Sequence, residues 1–377
     1  MMSVRNVLVV GGGFTGLTAA IALAQRDVKV TLVDKAPAWA RVGHGLTIQG
    51  NALRAFRELG ILDEVLAKSH PEDDGITLFF ADGRVMAPMH TPRTGGDDLP
   101  PTIGALRPDL HEILVAKAES LGVEIRLGLE MTSFENNEDA TATSVLSDGT
   151  TETWDLIIVA EGIKSPTRPK LGITADRAPS GLGIWRAVTS RTPEMKGGMA
   201  FPFTGDGALK VGYTPVSEDQ CYIFVLCRPE RPDNGLPDWQ EVKRLMADFH
   251  GEFDYLRESI DESTFLNFQQ IEWIFVDAPW HRGRVLLLGE AVHAVPPLIA
   301  QGAAMCIEDA VVLAETITPA GDLEQQLAGF YARRIPRIKG VVDASLQLAE
   351  WETHPGTPGA DPGRVMGQAL AALVPAP

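Results

Sequence analysis

Cysteine is scarce in this chain: Cys221, Cys227 and Cys306 are the three among 377 residues. An odd number without a Cys-x-x-Cys pair indicates neither a disulfide framework nor a thiolate metal site, and no metal is expected. Long hydrophobic runs are missing too. None approaches the roughly 18 residues that would span a bilayer, so no membrane association is expected. Positive charge is in deficit: 33 Lys and Arg stand against 50 Asp and Glu, a formal net charge of -17. That balance would repel a phosphate backbone and argues against nucleic acid as a partner. Met1-Met-Ser-Val-Arg5 runs straight into an apolar strand without the charged, apolar and cleavage regions of a secretory signal, so a cytoplasmic location is expected.

What is present points to nucleotide chemistry. The length suggests two domains, and 45% hydrophobic with 22% charged residues allows a large core. After an apolar strand at 7–10, Gly11, Gly13 and Gly16 satisfy the G-x-G-x-x-G spacing ahead of a helix. The first glycine permits a tight turn, the second lets backbone N–H groups approach a pyrophosphate, and the third lets helix pack on strand. A second apolar strand ends in Asp34, whose carboxylate suits ribose hydroxyls. Near the other end, residues 285–310 read as a buried strand, a proline-braced loop and a helix. Two such loops on one sheet would clamp a long cofactor.

Between them the pattern changes repeatedly. A helix is expected at 51–59, a hairpin at 76–86 turned at Asp82-Gly83, and a Pro, Gly and Asp-rich loop at 91–101. Arg107 opens a helix to about 121, followed by strands at 123–127 and 155–160, the latter a continuous apolar run of parallel-sheet type. From 178 to 268 the sequence is strand-rich, with segments at 184–188, 209–213 and 221–227 and one helix at 239–250. The expected architecture is α/β, a Rossmann-like nucleotide domain with an interleaved β-rich domain. The nucleotide domain takes 1–75, 102–177 and 269–345; the β-rich domain takes 76–101 and 178–268; 346–377 forms a loosely ordered C-terminal tail.

Gly11-x-Gly13-x-x-Gly16, Arg107 in Leu-Arg-Pro-Asp-Leu, Glu161-Gly162 and Gly289-Glu290-Ala-Val-His293-Ala-Val-Pro296-Pro297 resemble the successive fingerprints of single-component FAD-dependent aromatic hydroxylases. The type is that of para-hydroxybenzoate hydroxylase or salicylate hydroxylase, and the resemblance spans residue 5 to about 345. It departs from the family pattern at three carboxylates: Asp34 where Glu is commoner, and Glu161 and Glu290 where Asp is usual. Charge survives each change while reach alters by one methylene.

The resemblance implies FAD as cofactor and NADH or NADPH as transient co-substrate. It further implies a small phenolic or N-heteroaromatic substrate, hydroxylated by molecular oxygen through a flavin C4a-hydroperoxide in a monomer or homodimer. Cofactor contacts are implied for Gly11, Gly13, Phe14, Thr15, Gly16, Asp34, Lys35, Arg41, Arg107, Glu161, Gly289, Glu290, Pro297, Gly302 and Ala303. Gly302 and its neighbours would aim backbone N–H groups at the flavin's anionic edge, while Pro296 and Pro297 would form an apolar wall beside its reacting face. Trp185, Phe201, Tyr213 and Phe224 are the aromatic candidates for the substrate wall, filling of the smaller domain's core being the competing reading for each. Period-two alternation allows at most one of Trp185 and Arg186 to face a given pocket. Tyr213 is the candidate to bond or deprotonate a substrate hydroxyl, His44 the candidate proton shuttle. His293 reads as a hydrogen-bonded structural histidine in preference to a catalytic one. A dehydrogenase or reductase of the same fold, and a flavin- or ligand-binding protein without turnover, are the alternatives.

Overall fold

The structure is a computed structural model that describes residues 4–40, 43–73, 75–202, 207–231, 234–318 and 321–377. Strand Asn6–Val10 lies at the centre of a six-stranded sheet, parallel to Lys29–Asp34 on one side and to Leu156–Val159 on the other. Val285–Leu287 extends the sheet beyond Leu156–Val159, and Glu124–Leu127 extends it beyond Lys29–Asp34. Val7, Leu8, Val9, Leu156, Ile157 and Ile158 have no exposed surface, because packing on both faces leaves a parallel strand no wet side. The continuous apolar runs follow from that. Helices Phe14–Ala24 and Gly302–Thr316 pack against each other over this sheet.

An eight-stranded sheet stands across it. Its order is His293–Ala294, Asn267–Phe275, Ala178–Ser190, Gln220–Cys227, Lys210–Pro215, Gly198–Phe201, Ile76–Phe80 and Val85–Met89. The segment around 76–89 joins through Ile76–Phe80, parallel to Gly198–Phe201. Alternation gives the sheet two apolar faces. One is covered by helices Asp238–Leu245 and Glu252–Glu258 and contains Trp185, Ala187, Val211, Tyr213, Ile223 and Val225. On the other, Ile184, Leu226 and Ile271 meet Ala349, with Phe224 and Leu298 packed beside them. A small sheet, Thr102–Leu106 between Gly45–Gln49 and Ser69–Glu72, seals one end.

Several boundaries differ from the sequence expectation. The helix expected at 239–250 is Asp238–Leu245, and a second, Glu252–Glu258, follows after Gly251 at φ +71. Strand Asn267–Phe275 straddles the expected division at 268/269, since one β-ladder serves both the long strand Ala178–Ser190 and the loop strand His293–Ala294. Helix Leu323–Thr353 runs past the expected start of the tail at 346. The tail itself carries helix Pro362–Ala371. It is held down by Arg54, Arg333 and Arg337, which donate to carbonyls of Val374, Pro377 and Leu373 respectively.

Candidate active site

The loops that follow the parallel strands converge at one end of the six-stranded sheet, where the strand carboxyl ends make an open α/β fold receptive to ligands. Gly11 sits at φ +108, and a Cβ there would lie 2.4 Å from the Ala160 carbonyl oxygen; one on Gly16 would lie 1.8 Å from that of Gly11. Both glycines are demanded by close backbone approach. Gly13 is different. It is the N-cap of helix Phe14–Ala24, no side chain caps that helix, and space in front of Gly13 is open. Uncapped N–H groups at a helix N-terminus facing open space fit a pyrophosphate.

The implied cofactor residues have distinct surroundings. Thr15 packs against Gly289, where a Cβ would come 2.4 Å from Thr15 Oγ1, so the two loops touch. Phe14 carries the Arg107 guanidinium 5.2 Å above its ring, and the Arg107 amide donates to the His44 carbonyl. Asp34 accepts from the Gly12 amide at 2.6 Å and the Ala36 amide at 2.8 Å, so the shorter carboxylate braces the glycine loop itself. Lys35 is exposed beside it. Glu161 is engaged within its own loop: its carboxylate accepts from the Ser165 hydroxyl and from the amide and hydroxyl of Thr167. The added methylene lets it fold back and cap its own loop. Glu290 is exposed and reaches towards Gly162. Arg41 lies outside the described residues.

Sequence reasoning missed Arg168, which is 7% exposed and donates to the carbonyls of Ile163 and Ala291. It ties the Glu161 loop to the Glu290 loop, at the cost of a buried guanidinium whose pKa burial lowers. Nothing in its local sequence distinguishes it from a surface arginine.

The second wall is the face of the eight-stranded sheet turned away from helices Asp238–Leu245 and Glu252–Glu258. Arg186 and Phe224 are cross-strand partners on it, and Gly212 stands opposite Phe224. A Cβ on Gly212 would meet the Phe224 ring at 2.3 Å, so the glycine leaves the ring room to lie flat across the strand. Phe201 lies on the same face near the Lys210 ammonium, which pairs with Glu352. Leu298 packs beside Phe224 against this face; its neighbours in the chain are Pro296, Pro297, Ala300 in the left-handed region at φ +51, and Gly302, whose open side meets only Val295 at 3.6 Å. Gln301 is the N-cap of helix Gly302–Thr316 but turns its side chain away to Asn51, leaving the helix start, with half-buried Ala303, without a side-chain cap.

Two aromatic expectations are corrected by alternation. Trp185 and Tyr213 point to the opposite, helix-covered face, where Trp185 packs on Phe268 at 5.0 Å. Tyr213 meets Phe253 at 5.8 Å and donates its hydroxyl to Glu252. Burial raises the Tyr213 phenol pKa, and the Glu252 bond raises it further, the reverse of what a proton-accepting phenolate needs. Tyr222 stands on the other face. Two residues from Phe224 on the same strand, it shares the face of Phe224 and Arg186, its ring 6.2 Å from Phe224 and 6.0 Å from His44. Period-two reading from Phe224 was the available signal. Burial raises its pKa, partly offset by Arg186.

His44 is brought to this cleft, but as a neutral group. Burial, then the charges of Arg186 and Arg107, outweigh a backbone hydrogen bond and lower its pKa to about 4. Its Nδ1 lies 2.9 Å from the Gly45 carbonyl, which assigns the proton to Nδ1 and leaves Nε2 an acceptor. At neutral pH this is a hydrogen-bond acceptor and not a shuttle poised to titrate. His293 is buried, its Nε2 2.6 Å from Asp309 Oδ2.

Comparison with known proteins agrees with this geometry. The family described as FAD binding domain matches residues 5–345. A putative FAD-dependent monooxygenase, YetM of Bacillus subtilis strain 168, is 31% identical, the match covering 98% of this chain and 99% of the relative. The 2-heptyl-3-hydroxy-4(1H)-quinolone synthase of Pseudomonas aeruginosa strain UCBPP-PA14 is 30% identical over 92% of this chain and 90% of its own. Among solved structures, the tetrameric form of 2-methyl-3-hydroxypyridine-5-carboxylic acid oxygenase superposes with a TM-score of 0.81 at 25% identity, covering 98% of this chain and 96% of the other. Glycine cradle, paired loops and matched length lead to one conclusion: this chain belongs to the family of FAD-dependent monooxygenases, flavoproteins that typically draw their electrons from NAD(P)H.

Proposed function

We propose that this monooxygenase hydroxylates a small phenolic or N-heteroaromatic ring, with molecular oxygen as co-substrate, in the cleft between the Arg186–Phe224 face and the Pro296–Gly302 loop. One observation carries the reading: a half-buried phenylalanine over a glycine, bordered by a guanidinium, a phenol and a neutral imidazole, with Leu298 of the proline loop packed on the same face. That surface offers a flat ring a stacking partner and its oxygen or nitrogen substituents polar ones. The names of two relatives, a 4(1H)-quinolone synthase and a hydroxypyridine-carboxylic acid oxygenase, describe nitrogen heteroaromatics and support the same class.

FAD, when bound, supplies the redox and oxygen-transfer chemistry. The chain's own tasks are binding and shielding. Gly11 to Thr15 would hold the pyrophosphate, with Asp34 bracing that loop; Arg107 and Glu290 would flank the middle of the cofactor. The Gly302–Ala303 amides would face its anionic edge. Pro296 and Pro297, without backbone donors, would keep water from the reacting face. Phe224 would stack on the substrate, Arg186 would attract electron density on a substrate oxygen, and Tyr222 and His44 would orient its hydroxyl. The cofactor-binding domain in this reading is discontinuous, drawn from three stretches of chain.

The test is a screen of hydroxybenzoates, hydroxypyridines and 4-quinolones for stimulated NAD(P)H oxidation by the FAD-loaded protein, with product mass measured under isotopically labelled oxygen. One labelled oxygen atom per product is expected. Stimulated oxidation without label in any product would sink the hydroxylase reading.

A further inference from the structure

Beneath the cofactor loop lies a chain of buried polar side chains that the proposed chemistry does not use. Gln301 and Asn51, both with no exposed surface, form a reciprocal amide pair with bonds of 3.2 and 3.1 Å. Asn51 Nδ2 also donates to Glu308 Oε1 at 3.0 Å. Glu308 receives Arg337 on both oxygens, at 2.7 and 2.8 Å, and Arg334 at 3.0 Å. Arg334 then bonds Asp309 Oδ1 at 2.7 Å and the Met305 carbonyl at 3.2 Å, while Asp309 Oδ2 holds His293 at 2.6 Å. Glu308, Asp309 and Arg334 are each 1% exposed or less.

The placement is informative. The two ends of the chain of bonds, His293 and Gln301, bracket the Pro296–Pro297 turn, and its middle, Glu308 and Asp309, sits on helix Gly302–Thr316. Arg334 and Arg337 come from helix Leu323–Thr353, and Asn51 from helix Gly50–Glu58. Three helices and both ends of the loop are therefore locked by directional bonds. Desolvating two carboxylates and two guanidiniums makes such a cluster a weak source of stability, whereas its bond directions leave little freedom in position. Apolar packing would hold the helices together but would let helix Gly302–Thr316 rotate or slide.

The geometry points to a positioning role: the Gln301–Asn51–Glu308 relay, anchored through Arg334 and Asp309 to His293, fixes the N-terminus of helix Gly302–Thr316 and thereby sets the reduction potential of the bound flavin. This rests on the reading that this helix start faces the flavin's anionic edge. Backbone N–H groups stabilise the negative charge of reduced flavin only while aimed at it, and an error of a fraction of an ångström weakens the effect. Asn51 and Glu308 act through Gln301 and the helix.

The experiment compares flavin midpoint potentials of FAD-loaded wild type, Asn51→Leu, Gln301→Leu and the double variant, with visible spectra confirming bound flavin. Each single change is expected to reduce the preference for reduced over oxidised flavin about tenfold, about 30 mV more negative for a two-electron couple. The double variant is expected to move no further, because both changes break one relay. Wild-type potentials in flavin-loaded single variants, or strictly additive shifts, would overturn the inference. Should Asn51→Leu fail to fold, Thr94→Val carries the same measurement. Thr94 Oγ1 accepts from the Asn51 amide and donates to Asn51 Oδ1, so a smaller shift of the same sign is expected, and an unchanged potential would overturn the relay. Absence of aromatic-stimulated NAD(P)H oxidation in the wild type would count against the proposed substrate class and leave these potentials readable.

Discussion

Tyr213 and Tyr222 carry the same phenol on adjacent strands, yet their hydroxyls meet opposite environments. Register explains it: Tyr213 pairs with Ile223 and Thr214 with Tyr222, so the two rings stand on opposite faces. Tyr213→Phe is expected to leave flavin content and turnover unchanged while costing about 1.5 kcal/mol of stability from the lost bond to Glu252, read by denaturant unfolding. Tyr222→Phe is expected to lower hydroxylation or its coupling to NAD(P)H oxidation about tenfold with flavin still bound. Equal kinetics in the two variants would remove Tyr222 from the site. His44 makes a second prediction at this scale. Its pKa is lower folded than unfolded, so the unfolded chain takes the proton first. Its stabilising effect is complete above the unfolded value of about 6.5 and is lost as pH falls towards about 4. His44→Gln should flatten that stretch of the melting temperature's pH dependence; an unchanged slope between those values would show His44 to be freely solvated.

At the scale of elements, the site depends on how closely three sheets approach. Gly104 lies in the small sheet where a Cβ would come 1.8 Å from the Pro215 carbonyl oxygen of the eight-stranded sheet. No side-chain rotation relieves a contact with backbone, so Gly104→Ala is expected to cost about 3 kcal/mol, read as a lowered unfolding midpoint together with weakened substrate stimulation. A midpoint equal to wild type would mean the sheets part easily there. Strands and helices of the α/β part were legible because their apolar runs and glycine turns are local signals: Leu156–Val159 and Phe14–Ala24 needed only their own residues. Helix Glu252–Glu258 was not, since seven residues with buried Phe253 and Leu256 make too short a periodic pattern. The tail's order was equally hidden, because it depends on arginines from Arg54 to Arg337, far away in sequence.

For the whole molecule, the apolar cluster of Ile184, Leu226 and Ile271 with Ala349 joins the eight-stranded sheet to helix Leu323–Thr353, and Lys210 with Glu352 adds an ion pair beside it. The two parts are expected to unfold together. Thermal transitions followed by far-ultraviolet circular dichroism and by tryptophan fluorescence, which reports Trp185 and Trp239 on one side and Trp280 on the other, should coincide. Ala349→Glu, which places a charge in that cluster, should separate them; a single transition in the variant would show that the cluster does not couple the two parts.

The sequence by itself determined the cofactor fold. Glycines that only a tight turn tolerates, apolar runs that only a doubly covered strand needs, and the paired loops at Gly11 and Gly289 are properties of neighbours along the chain. Which side chains share a face of the eight-stranded sheet was decided by tertiary structure alone. A one-residue change of register exchanges the faces of a strand, so Tyr222 stands on the face of Phe224 and Arg186 and Tyr213 on the opposite one. The carboxylates depend on folding too: Glu161 accepts from backbone and hydroxyl donors of its own loop, and Asp34 from the Gly12 amide. Burial by residues distant in sequence made His44 neutral, and only the packing of three helices brought Asn51, Gln301 and Arg334 into one hydrogen-bonded frame.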